Sequence, residues 1–91
     1  VLILVSYDIP DDRRRTRVAH ALKDFGQRVQ YSVFECLLAE DQMAHLSARV
    51  AKLTDPAEDS VRMYRLCADC VKRIEIRGLG KVSEDPEVFL L

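Results

Sequence analysis

The sequence predicts an α+β sandwich, a four-stranded antiparallel sheet with two helices on one face, in the order strand, helix, strand, strand, helix, strand. Three observations predict it. Residues 1–5 are an unbroken, mostly β-branched apolar run, bounded downstream by turn residues, which reads as a buried central strand. Residues 12–25 and 40–53 each carry apolar side chains at helical spacing along one face. Two further stretches, 28–38 and 61–67, are rich in β-formers.

Side chains alternate along the first strand, residues 1–8, so Leu2, Leu4, Ser6 and Asp8 share one face and Val1, Ile3, Val5 and Tyr7 the other. Both faces are apolar and both need cover. The strand delivers Asp8 at the rim of the sheet, where α/β folds commonly place their chemistry. In the helix that follows, Asp11 or Asp12 is the expected N-cap, Val18, Ala21, Leu22 and Phe25 form the apolar stripe, and Gly26 is expected as a left-handed terminator. Arg13, Thr16, His20, Lys23 and Asp24 face away from the stripe. Arg14 and Arg15 lie beside it in the first turn, within reach of the rim that carries Asp8.

Residues 28–38 are long enough for two short strands broken near Tyr31 and Ser32. The second helix turns Met43, Leu46, Val50 and Leu53 inward and His45, Arg49 and Lys52 outward, and Asp55-Pro56 ends it. Residues 61–67 are the fourth strand. Residues 71–77 also alternate as a strand would, until Gly78-Leu79-Gly80 breaks the pattern. The element order is that of the split βαβ, ferredoxin-like fold. Residues 1–91 read as one such domain, with about 78–91 as a C-terminal extension whose apolar end, residues 88–91, completes a sheet, expected to be that of the partner subunit.

A chain of 91 residues is one domain and buries only roughly 60 to 70% of its unfolded surface, so oligomerisation is expected. The other face of the first strand has no helix to cover it, and a second copy in a two-fold homodimer is the simplest supplier. A hydrophobic share of 48% with 32% charged residues excludes a disordered chain. No apolar run approaches the roughly 20 residues of a membrane span, and no signal-peptide pattern opens the chain, so no membrane association and a cytoplasmic location are expected.

Net charge is only −1, but four of the five residues from 13 to 17 are arginine. Guanidinium groups so clustered suit a phosphate backbone; the competing view is a solvated helix face with local ion pairs. Asp8 reads either as a ligand for a hard divalent cation or as a turn residue paired with Arg14 or Arg15. Tyr31 and Phe34 are candidates for stacking on bases, with at least one expected in the core. Cys67 and Cys70 have the spacing of a zinc or redox pair, but no second pair follows to complete a zinc site. His20 and His45 fall on polar helix faces without a nucleophile at readable spacing.

Three segments together resemble the CRISPR-associated protein 2 family: Ser6-Tyr7-Asp8-Ile9, Arg15-Thr16-Arg17-Val18-Ala19, and the run from Phe25 through Gly26, Gln27, Arg28 and Val29 to Phe34, Glu35 and Cys36. Residues 59–66 fit that family's fourth strand. The resemblance implies a ferredoxin-like homodimer that works with the CRISPR integrase, CRISPR-associated protein 1, in spacer acquisition for antiviral defence. It implies a Mg²⁺-dependent endonuclease acting on single-stranded RNA or on a DNA duplex. Carried over by matching position, Asp8 is the metal-binding and catalytic carboxylate with Tyr7 beside it. Arg15, Arg17, Arg28 and Phe34 are implicated in activity or substrate binding, and Arg13 and Arg14 extend the basic stretch. The rival expectation is a non-catalytic dimeric adaptor that holds DNA and bridges integrase dimers.

Overall fold

The computed structural model of the chain describes residues 1–83. Its elements are β1 (Leu2–Asp8), α1 (Asp12–Leu22), β2 (Gln27–Gln30), β3 (Val33–Leu37), α2 (Glu40–Leu53), β4 (Ser60–Leu66) and a one-turn α3 (Ala68–Val71). The four strands form one sheet in the order β2-β3-β1-β4, every neighbouring pair antiparallel. This is the ferredoxin-like arrangement expected from the element order.

The apolar run of β1 sits at the centre because it is the strand that can be buried along its length. Ile3, Val5 and Tyr7 join Phe34 and Cys36 of β3 on one face, and Val18, Ala19 and Leu22 of α1 with Leu46 and Val50 of α2 close over them. Phe34, Ile3, Leu22 and Leu46 lose essentially all contact with water, each contributing about 1.5–3 kcal/mol through that burial. Asp11 caps α1 by accepting from the Arg14 N–H at 2.9 Å, and Gln42 Oε1 accepts from the Ala39 N–H at 2.8 Å at the start of α2. Among the described residues no helix is long and apolar enough to cross a membrane.

The opposite face carries Leu2, Leu4, Ser6 and Asp8, with Leu4 half-buried and Asp8 exposed. Ile76, Leu79, Gly80 and Lys81 border a groove with Leu4, Val33 and Glu35, and Ser83 donates to Glu35 Oε1 from its hydroxyl at 2.7 Å and its N–H at 3.3 Å. Residues 78–83 of the expected extension thus run beside their own sheet without forming a strand. The rest of it, with the apolar end at 88–91, lies outside the described residues.

Three local expectations are corrected. Helix α1 stops at Leu22 rather than Phe25, because Asp24 and Phe25 donate to Ala21 and Leu22 at 3.1 and 3.0 Å, tightening the last turn into three-residue spacing. Gly26 is not left-handed; positive φ among the described glycines occurs at Gly78 and Gly80. Its need is steric: a Cβ there would stand 2.2 Å from the Glu35 carbonyl oxygen and 2.6 Å from Cys36 Sγ, so β3 approaches too closely for any side chain. Residues 71–77 are not a strand. The Val71 N–H reaches Cys67 O at 2.9 Å and the Ile74 N–H reaches Val71 O at 3.2 Å, and these local bonds coil the start of the stretch before alternation can be used.

Candidate functional site

The connection from β1 to α1 fixes where the arginines stand. Ile9 is buried, and the Asp11 cap starts the helix at once, so residues 13–17 occupy the first two turns above the end of β1. Arg14 is spoken for: its Nε and Nη2 meet Asp59 at 2.9 and 3.2 Å, and Nη2 meets Glu58 at 2.9 Å. The Asp59 side chain is only 1% exposed, and the Arg14 guanidinium holds its carboxyl below the usual carboxylate range, with the Asp55 N–H adding to the effect. Arg15 donates to the Ile9 carbonyl at 3.0 Å and pairs with Asp12. Neither arginine pairs with Asp8. Arg13 and Arg17 are exposed, border a shallow depression with Asp12 and Thr16, and pair with no carboxylate among the described residues.

Arg28 is brought to the helix-covered side by its register opposite Phe34, and its guanidinium carbon lies 5.5 Å from the centre of that ring. Phe34 itself is fully buried, so it supports Arg28 and leaves no face for a base; Tyr31, 72% exposed, does. Tyr7 is buried on the same side, its ring 6.3 Å from Phe34 and its hydroxyl 3.5 Å from the Tyr31 carbonyl. Tyr7, Arg15, Arg28 and Tyr31 therefore line one cleft of about 350 Å³, joined by Thr16, Ala19, His20 and Lys23. The structure gathers four basic side chains and an exposed aromatic ring in it. Helical periodicity puts His20 and Lys23 on a polar face of α1, and Arg28 and Tyr31 of the β2–β3 hairpin border that face and make it one side of a cleft.

Asp8 belongs to a different surface. It stands opposite Ser60 across the β1–β4 pair, as Ser6 stands opposite Arg62 and Leu4 opposite Tyr64. Ser6, Tyr7, Asp8, Ser60, Arg62 and Tyr64 border a depression of about 300 Å³, and Arg62 donates to the Tyr64 hydroxyl at 3.4 Å. Sequence reading missed Ser60, Arg62 and Tyr64. The antiparallel pairing implied by the topology would have put β4 beside β1, but the register that sets Ser60 against Asp8 is not written in the hydrophobic pattern. Asp8 and its hydroxyl neighbours offer oxygen, the kind of ligand hard cations take, but the Arg62 guanidinium borders the same depression, and no group of three or more His, Cys, Asp or Glu side chains able to hold a metal forms among the described residues. Asp8 is the one carboxylate bordering that depression among the described residues.

The chain matches the family model described as CRISPR associated protein Cas2 over residues 1–74. It is 44% identical over 88 residues to the CRISPR-associated endoribonuclease Cas2 3 of Chloroflexus aurantiacus, covering 97% of this chain and 95% of that one. Among solved structures, Streptococcus pyogenes Cas2 superposes with a TM-score of 0.76 at 34% identity, covering 86% of this chain and all (100%) of the other. A chain of a partial Cas6-RT-Cas1–Cas2 complex superposes with a TM-score of 0.71 at 26% identity, covering 82% and 88% of the two chains.

Proposed function

The chain belongs to the CRISPR-associated Cas2 family, and on that premise we propose that it is a homodimeric, metal-dependent endonuclease that binds nucleic-acid backbone and works with a Cas1 integrase in spacer acquisition. The observation that carries the catalytic part is Asp8: an exposed carboxylate at the end of the central strand, with hydroxyl neighbours and no basic partner among the described residues. In a dimer related by a two-fold axis near the strand ends, Asp8 of the partner subunit supplies the second carboxylate. A Mg²⁺ ion bound there would activate water and neutralise phosphate charge. Asp8 would hold that ion. Arg62, on the same face, stabilises charge that develops on the phosphate. Tyr7 acts as a positioning residue, since its ring is packed on the helix side and its hydroxyl points at Tyr31 rather than at the Asp8 surface. Arg13 and Arg17 hold backbone phosphates, and the Arg15–Arg28 cleft adds a second basic surface.

A second reading is favoured by the same donor count. One carboxylate per chain is sparse for phosphodiester hydrolysis, and a dimer that only holds a DNA duplex between integrase subunits needs the arginines and not Asp8. Asp8→Asn separates the two. Cleavage of single-stranded RNA and duplex DNA is measured with and without Mg²⁺, alongside binding affinity and spacer acquisition. The nuclease reading expects the variant's cleavage to fall to the metal-free background while binding stays at the parent level. Equal Mg²⁺-dependent cleavage by parent and variant would refute it, and acquisition that survives the substitution supports the adaptor role.

A further inference from the structure

Cys67-Ala68-Asp69-Cys70 takes no part in binding or cleavage as described above, and its geometry is specific. Cys67 follows β4 and caps α3: its Sγ accepts from the Cys70 N–H at 3.4 Å, while the Val71 N–H closes on Cys67 O at 2.9 Å. Cys67 is extended, and its side chain folds back over the turn that carries Cys70, which makes the two side chains neighbours; a disulfide asks for about 3.5–4.5 Å between their Cβ atoms. Both cysteines are free and exposed. The Cys70 N–H and then the Cys70 thiol stabilise the Cys67 thiolate and draw its pKa below the ordinary thiol value, and Cys70, donating to it, is pushed up. The third cysteine is an internal contrast: Cys36 is buried in the core, and desolvation pushes its thiol up to about 11.

We propose that Cys67 and Cys70 are a redox-active dithiol that closes to an intramolecular disulfide by exchange with a low-molecular-weight disulfide. The Cys67 thiolate attacks one sulfur of the small disulfide, forming a mixed disulfide and releasing one small thiolate. Cys70 gives its proton to solvent, and its sulfur then attacks Cys67 Sγ, forming the Cys67–Cys70 bond and releasing the second small thiolate. Two protein thiols are oxidised and one disulfide is reduced to two thiols, with no other reactant. A bound zinc ion is the competing use of the spacing, but it needs four ligands, and no third His, Cys, Asp or Glu gathers at this pair among the described residues. The bridge would fix the turn from which the chain leaves β4 toward Ser83, whose hydroxyl holds Glu35 on the open sheet face.

The test uses the full chain and oxidised glutathione at a series of redox ratios, with free thiols trapped and intact mass and peptide maps recorded. Expected is a loss of about 2 Da located between Cys67 and Cys70, with Cys36 still reduced. Cys70→Ser should accumulate glutathione at Cys67, because the resolving sulfur is gone. Cys67→Ser should be modified at Cys70 more slowly than Cys70→Ser is at Cys67. Equal rates in the two single variants, a bridge found only between chains, or stoichiometric zinc at one ion per two chains protecting the thiols would each overturn the proposal.

Discussion

Arg13 and Arg17 should dominate the salt dependence of nucleic-acid binding, while Arg14, the neighbour between them, should contribute nothing to it. Three of the donors of Arg14 are held by Asp59 and Glu58 at 2.9, 3.2 and 2.9 Å, so a phosphate would have to displace an ion pair already made. Arg13 and Arg17 are exposed and pair with no carboxylate among the described residues. Each phosphate contact releases counterions and steepens the slope of log K against log salt by about 0.9. In the proposed dimer, Arg13→Ala with Arg17→Ala removes four such contacts, so the slope should become shallower by about 3.6. Between 50 and 200 mM salt that difference is about 150-fold in relative affinity: the double variant loses far more at low salt than at high. Fluorescence anisotropy of a labelled duplex across a salt series measures it. The Arg14→Ala protein, by contrast, should keep the parent slope and bind in parallel with it. A slope lost in Arg14→Ala as fully as in the double variant, or kept in the double variant, would refute the division between structural and phosphate-binding arginines.

Gly26→Ala should destabilise the fold by about 1–3 kcal/mol, read as a lower urea midpoint at unchanged m, since the new Cβ meets backbone atoms of Glu35 and Cys36 as well as Cys36 Sγ, and the backbone cannot swing aside. Phe34→Ala should cost about 3–5 kcal/mol because the ring is fully buried, and its loss of activity should track the unfolded fraction rather than a lost base contact. Acid unfolding should carry a signature of Asp59. Arg14 lowers its folded pKa below the unfolded value of about 4, so the stability it adds is present above that pH and is lost as pH falls through the folded value. Melting temperature followed down through this range should therefore fall less steeply for Arg14→Ala than for the parent.

The elements were legible because burial makes them so. The run at 1–5 has no polar residue to place in water, and Met43, Leu46, Val50 and Leu53 leave only one face of α2 that can point inward, which is why that helix has the expected bounds. Partnerships were less legible. Arg14 was readable as an arginine turned toward the sheet, but the residues that answer it, Glu58 and Asp59, arrive from a loop 44 and 45 positions away. Gly26 looks like a helix terminator in any sequence; only the closeness of β3 reveals a contact instead of a dihedral. Residues 71–77 alternate as well as a true strand does, and a period of two cannot register that the Cys67 backbone and sulfur have captured the first turn.

The separation of Asp8 from the basic cleft sharpens what an enzyme built on this chain requires. Asp8 lies on the open face with Ser60 and Arg62, whereas Arg15, His20, Lys23 and Arg28 lie on the helix side, so the sheet stands between the carboxylate and most of the basic groups. A single exposed carboxylate binds a hard cation weakly, because the ion keeps most of its water and only one charge opposes it. The cleft on the helix side brings Arg15, His20, Lys23 and Arg28 and no carboxylate, so it has no second acidic ligand to offer. In the proposed dimer the second carboxylate would come from across the open face, the same face that one chain leaves without helices. In that dimer, cover for the apolar strand and completion of the proposed metal site would be met by one event, the pairing of two chains, and the proposal therefore makes cation binding and assembly parts of a single equilibrium.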